Sequence, residues 1–231
     1  MLPPMEDDGS VPDENGTALL KKHLDTSLRI GREAVEACLS PIGLRPEHLD
    51  ALVTVTSTGM LCPSLSSHLG RAMGFRRNLQ RADIVGMGCN AGVNGLATAA
   101  RFAAAHPGTR SMLLACEICS AAYVQEMDPV TAVVNSLFGD GAVAALVVSG
   151  PDPGPDAGPK LLDFEAYLLH EAAAEMRFDF VDGKFSFYLR ARRAVRHRRA
   201  RRPTGRRPAF APRIAQTGHH RIGSCIPAAR R

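Results

Sequence analysis

Apolar residues recur every three or four positions through "TALLKKHLDTSLRIGREAVEACL", residues 17–39, and charged residues fill the gaps between them. That spacing gives a helix one apolar face, and the Ser40, Pro41 and Gly43 that follow bring it to a stop. "DALVTVT" then reads as a strand, "STGMLCPSL" as a loop, and residues 64–73 as a second helix capped by Gly74. "ADIVGMG" is a short apolar run ending in glycines, and residues 90–105 carry Ala and Leu at helical spacing. A strand "RSMLLACE" begins at Arg110, "DPVTAVVNSLF" is helical with "GDG" ending it, and "AVAALVVS" runs from alternating to fully apolar. This repeated exchange of strand for helix predicts a layered α/β domain with a largely buried sheet.

Punctuation divides the chain further. Residues 1–16 form an acidic, proline-containing lead-in, residues 17–149 the first domain, and "GPDPGPDAGP" at 150–159 a proline and glycine linker. In residues 160–189, "PKLLDFEAYLL" and "KFSFYL" read as strands with "FVDG" as the turn between them, the start of a second domain. Residues 190–231 have no hydrophobic period and are expected to be a disordered tail.

Composition sharpens that last boundary. The net charge of +5 hides a division: residues 190–231 hold 14 arginines and no acid, while residues 1–189 hold 14 Lys plus Arg against all 23 Asp plus Glu. Two differently composed polymers meet near Leu189. The 231 residues are 45% hydrophobic, enough for one substantial core or two small ones. No apolar run is long enough to span a bilayer and no secretory signal opens the chain, so a cytoplasmic, reducing setting without membrane contact is expected. Cys116 and Cys119 form a CxxC in "ACEICS" with no second pair and no histidine at ligand spacing. Structural zinc needs four ligands, so no metal is expected there.

Chemistry concentrates at "VGMGCNAGVNGLATAARFAAA", residues 85–105. Cys89 sits where a strand turns into a helix, and unpaired amide N–H groups and the positive helix end favour a thiolate at that place. Gly86 and Gly88 permit a sharp turn, and Gly92 and Gly95 permit close helix packing. A lone cysteine can equally be a buried structural thiol. The flanking residues favour the nucleophile.

Three segments together carry a resemblance over roughly residues 17–189. "GMGCNAG", "ACEICS" and "LFGDGAVAALVV" are similar, in sequence and in mutual spacing, to the type III polyketide synthases, the chalcone synthase-like branch of the thiolase superfamily. "GCNAG" looks most like the bacterial subgroup that makes 3,5-dihydroxyphenylacetyl-CoA from malonyl-CoA for glycopeptide antibiotic building blocks. The resemblance implies a thiolase-like layered fold, here mostly its N-terminal half, and a homodimer. It implies that Cys89 accepts the acyl chain and that Phe138 is a gatekeeper between a CoA tunnel and the cavity. Ser57 and Thr58 match positions lining the pocket, Cys62 the place where a residue reaches into the partner's cavity, and Cys119 and Ala122 cavity positions that vary with product size. Glu117 is expected to buttress the site, and Gly139, Asp140 and Gly141 to form a structural turn.

The mechanism so implied uses CoA thioesters and no further cofactor. A thiolate attacks an acyl-CoA, malonyl-CoA loses CO2, and the resulting enolate attacks the bound thioester. The family stabilises the enolate with a histidine and an asparagine from its C-terminal half. Neither is placed here: His23, His48, His68, His106 and His170 lie in no matching motif, and His197, His219 and His220 lie in the tail. With synonymous codons freely chosen, the coding of Arg192 onward read one base later gives Asp-Val-Pro-Tyr-Val-Ile-Gly-Ala-His-Ala-Asp, at the spacing the family expects. Read two bases later, "GSCIPAARR" gives Phe-Met-His-Ser-Gly-Gly-Lys-Lys, similar to the segment around the family's catalytic histidine. Residues from about Arg190 are therefore expected to be an out-of-frame translation of a GC-rich gene, and the chain an incomplete enzyme that loads acyl groups without condensing them. Two alternatives stand beside this: a ketoacyl-ACP synthase III-like enzyme of fatty-acid synthesis, or an inactive basic fragment. A nucleic-acid partner is not expected, because no aromatic platform accompanies the arginines.

Overall fold

The first amphipathic segment folds as helix α1, Gly16–Leu39, and the Asn15 side chain caps it by accepting the Ala18 N–H at 2.9 Å. Its buried face passes through Leu19, His23, Ser27, Gly31, Val35 and Cys38. The computed structural model describes residues 7, 13–122, 129–150, 159–181, 183–189 and 219–224. Strand β1, Ala51–Thr56, is buried along its whole length. Helix α2, Leu65–Met73, follows and ends at Gly74, whose left-handed φ of 69° closes the last turn. Strand β2 is Gln80–Val85, helix α3 Ala91–Ala105, strand β3 Arg110–Glu117, helix α4 Pro129–Leu137 and strand β4 Gly141–Gly150.

β2, β1 and β3 run parallel in that order, and β4 pairs antiparallel with β3. Alternation along the strands sends side chains to two separate cores. Leu52, Met112, Leu114, Cys116, Ala144 and Leu146 face α1 and α2, whereas Val53, Val55, Leu113 and Val147 face α3. Asp50 ties the amino-terminal edge of the sheet together: its carboxylate accepts the Arg110 N–H at 2.7 Å and pairs with Arg76, and its carbonyl accepts the Gln80 N–H at 3.0 Å. The three parallel strands therefore end together at the opposite edge.

The packing of α3 bears out one glycine expectation and corrects another. A Cβ on Gly95 would lie 2.6 Å from a Val55 methyl and 2.7 Å from a Leu113 methyl, so only glycine lets the helix approach this closely. Gly92 meets nothing within 4 Å and plays no such part.

Beyond residue 159 the strands differ from those expected. Of "PKLLDFEAYLL" only Lys160–Leu161 forms a strand, β5, while Leu162, Tyr167 and Leu168 lie exposed at 84%, 75% and 73%. The hairpin partner of β7, Lys184–Leu189, is instead β6, Met176–Val181. Four phenylalanines decide this: Phe178 packs edge-on against Phe185 and Phe187, and Phe180 against Phe185, at centroid distances of 5.4–5.8 Å. Within the tail, His219–Ser224 forms strand β8 between β4 and β5. Without a neighbour the outer edge of β4 would leave backbone N–H and C=O groups unpaired, and pairing with β8 satisfies them. The linker at 151–158, the tail at 190–218 and 225–231, and the lead-in apart from residues 7 and 13–16 lie outside the described residues.

Candidate active site

Four loops meet at the carboxyl edge of the parallel strands: residues 57–64 after β1, 86–90 after β2, 118–122 after β3 and 138–140 leading into β4. Open parallel sheets bind ligands at this edge, because helix amino ends and loop N–H groups converge there. The turn after β2 is built on two left-handed glycines, Gly86 and Gly88, both at φ 73°. It passes through a short 3-10 turn, Gly88–Asn90, directly into α3. Cys89 lies exposed in that turn, two residues ahead of Ala91, the first residue of α3. The sequence placed it at a strand-to-helix junction, and the structure places it there.

One carboxylate organises the neighbouring loop. Glu117, the last residue of β3, accepts the Ser57 N–H at 2.9 Å, the Thr58 N–H at 3.0 Å and the Thr58 hydroxyl at 2.8 Å. The Thr58 hydroxyl oxygen in turn accepts the Ile118 N–H at 2.8 Å. Ser57 carries the connection to the cysteine turn, its Oγ accepting the Gly88 N–H at 3.0 Å. Ser57 and Thr58 are thus joined through hydrogen bonds to the turn that carries Cys89, and Glu117 buttresses them. A second carboxylate, Asp140, holds the adjacent turn by accepting the N–H and hydroxyl of Ser120, each at 2.8 Å. Burial alone would raise its pKa, but hydrogen bonds led by those from Ser120 outweigh it and hold Asp140 below the usual carboxylate range.

Cys119 is buried beside this turn, and its carbonyl accepts the Ala122 N–H at 2.9 Å. Burial first, then negative charge at Glu117, Asp140 and Cys89, pushes its thiol up to about 11. Cys116 is pushed up to about 12, again chiefly by burial. Both are neutral thiols at physiological pH, in contrast to the thiolates that bind metals. Among the described residues no group of three or more His, Cys, Asp or Glu is placed to hold a metal ion. Phe138 is half-buried with its ring 5.6 Å from that of Phe187, so it joins the loop ahead of β4 to the β6–β7 hairpin. Ala122 is half-buried, and Cys62 is exposed in the loop entering α2.

Sequence reasoning passed over His23. Its ring is 1% exposed, Nε2 lies 3.2 Å from the Thr56 hydroxyl, and Nδ1 has no partner among the described residues. Burial pushes its pKa down to about 4, the charge of Asp140 offsetting only part of that effect. The Gly59 backbone lies against the ring so closely that a Cβ there would come within 2.5 Å. The signal was present in the helix pattern: His23 follows Leu19 and precedes Ser27 at four-residue steps along the buried face of α1.

A mixed sheet with three parallel strands, and an exposed cysteine ahead of a helix packed on one face, makes a layered α/β domain with a candidate nucleophile at the strand ends. Residues 14–153 match the family described as chalcone and stilbene synthases, N-terminal domain, and the chain belongs to that family. It is 46% identical over 193 residues to 3,5-dihydroxyphenylacetyl-CoA synthase of Streptomyces toyocaensis, covering 81% of this chain and 50% of that protein. The fold is similar to PKS-I from the brown alga Ectocarpus siliculosus, with a TM-score of 0.71 at 25% identity over 81% of this chain and 49% of that one. The bacterial type III polyketide synthase 1,3,6,8-tetrahydroxynaphthalene synthase of Streptomyces coelicolor gives 0.68, also at 25% identity, over 77% of this chain and 50% of that one. The chain spans about half the length of the curated relatives it matches. Among the described residues no helix is long and apolar enough to cross a membrane.

Proposed function

We propose that the chain acts in a type III polyketide synthase reaction, in which Cys89 takes an acyl group from a CoA thioester. The Cys89 sulfur attacks the thioester carbonyl, a new thioester forms, and CoA leaves as its thiolate. Malonyl-CoA then loses CO2, and its enolate carbon attacks the Cys89-bound carbonyl and releases the sulfur. Likeness to the dihydroxyphenylacetyl-CoA synthases favours malonyl-CoA as substrate, 3,5-dihydroxyphenylacetyl-CoA as product and a place in antibiotic biosynthesis. It favours this reading over a ketoacyl-ACP synthase or an inert basic fragment. The observation that carries the proposal is the exposed Cys89 at the head of α3, in a turn tied through Ser57 to the loop fixed by Glu117.

The remaining roles follow from the same reading. Phe138 borders the channel, Ser57, Thr58, Cys119 and Ala122 line the cavity, and Cys62 faces a partner subunit. The enzyme works as a cytoplasmic homodimer with no cofactor beyond the CoA of its substrates. Among the described residues β2 is an edge strand, and this edge, with Val85 and Met87 exposed beside it, supports a second copy docking there. Free CoA released on mixing the chain with acyl-CoA tests the proposal. One equivalent released by the wild type and none by Cys89→Ala is the expected result, and equal release by both would overturn it.

A further inference from the structure

His23 lies on the opposite side of the sheet from α3, yet a continuous set of hydrogen bonds joins it to the cysteine turn. Glu117 as a carboxylate only accepts, so the hydroxyl protons facing it are directed toward it. Thr58 gives its proton to Glu117 at 2.8 Å, and Thr56 gives its proton to Glu117 at 3.4 Å. The Thr56 oxygen then has only lone pairs left for His23, which must donate from Nε2 across 3.2 Å. The other tautomer would bury an Nδ1–H against Gly59 with no acceptor among the described residues and would turn the Thr56 proton away from Glu117. The neutral Nε2–H imidazole is the form that satisfies Thr56 and Glu117 and leaves only the Nδ1 lone pair without a partner among the described residues. Its depressed pKa agrees with this assignment.

We propose that His23 is a positioning residue for Cys89: by donating to Thr56 it aims the Thr56 hydroxyl at Glu117, which fixes Ser57, whose Oγ holds the Gly88 N–H next to the cysteine. The role rests on Cys89 being the reactive thiol of the proposed function. Two features fit a role beyond filling space. A histidine on an otherwise small or apolar helix face costs desolvation that a leucine of similar volume would avoid, and Gly59 leaves the room that the ring occupies.

The test is the rate at which iodoacetamide modifies Cys89 in the full chain, followed on the Cys89 peptide by mass spectrometry. This readout uses no CoA ester, so failure of acyl loading and failure of this inference are separate results. His23→Leu removes the donor at similar volume, and His23→Gln restores an N–H near Nε2. Thr56→Val breaks the next bond along without touching the histidine. The Cys89 rate is expected to fall about threefold or more in His23→Leu and in Thr56→Val, the size of one lost hydrogen bond. The double variant is expected to fall no further, and His23→Gln to stay within about twofold of wild type. A purely structural role would give additive losses, or no rescue by Gln, and either outcome overturns the proposal. An unchanged Cys89 rate in Thr56→Val also overturns it, and that variant decides the matter if His23→Leu does not fold.

Discussion

The two faces of the sheet are built on different scales. Toward α1 and α2 the core is made of large aliphatic side chains, among them Leu39, Leu49, Leu52, Leu69, Met112 and Leu114, each 0–1% exposed. Toward α3 it is made of Ala91, Ala99, Ala100 and Ala103 against Val53, Val55, Leu113 and Val147, with Gly95 at the closest approach. The first face buries most apolar surface per residue and so supplies most of the stability. The second buries less but sets α3 close on the sheet, and α3 carries Cys89 at its head. Stability and presentation of the nucleophile are thus divided between faces, and the Glu117 network at the strand ends joins them.

The division breaks most strongly on the large face. Leu52→Ala should cost about 2–5 kcal/mol in urea unfolding, since the close-packed neighbours cannot refill the space; a loss below 1 kcal/mol would contradict the assignment. Acidification attacks the same face. His23 has its folded pKa lowered from 6.5 to about 4, so the unfolded chain binds this proton first as pH falls. Its contribution is fully present above about pH 6.5 and declines toward pH 4, by up to about 3 kcal/mol. Urea titrations across that range should show the decline in the wild type and not in His23→Gln. Asp83 and Asp140, both with lowered pKa values, lose their contributions only below the normal carboxylate range, which keeps the two windows apart.

On the small face the break comes from adding volume. Gly95→Ala places a methyl 2.6–2.7 Å from Val55 and Leu113 and should cost about 1–3 kcal/mol despite the better helix propensity of alanine. The smallest effect on stability, about 1 kcal/mol or less, is expected for Ser57→Ala, which removes the acceptor of the Gly88 N–H. That variant should slow modification of Cys89 while leaving urea unfolding nearly unchanged. A proportionate loss in both would merge the roles that the comparison separates.

Much of this was legible in the sequence. The helical period marked α1, which buries one face, apolar runs marked β1, β3 and β4, which lie between two cores, and two glycines ahead of Cys89 marked the turn. The β6–β7 hairpin was misassigned because "LDFEAYLL", residues 162–169, carries the apolar content of a strand but forms none, whereas "MRFDFV" is held by rings that only the fold brings together. The joint role of Glu117, Ser57 and Gly88 depends on contacts between residues 31 and 60 positions apart, which no local pattern records. His23 was visible as a polar break in an apolar stripe, but its meaning came only from Thr56 beyond it.

The most direct test of the account is peptide mapping of the chain after brief exposure to malonyl-CoA or a short acyl-CoA. An acyl mass is expected on the Cys89 peptide ahead of the peptides carrying Cys62, Cys116 and Cys119. Acyl groups spread according to exposure alone, with Cys62 modified as readily as Cys89, would contradict it.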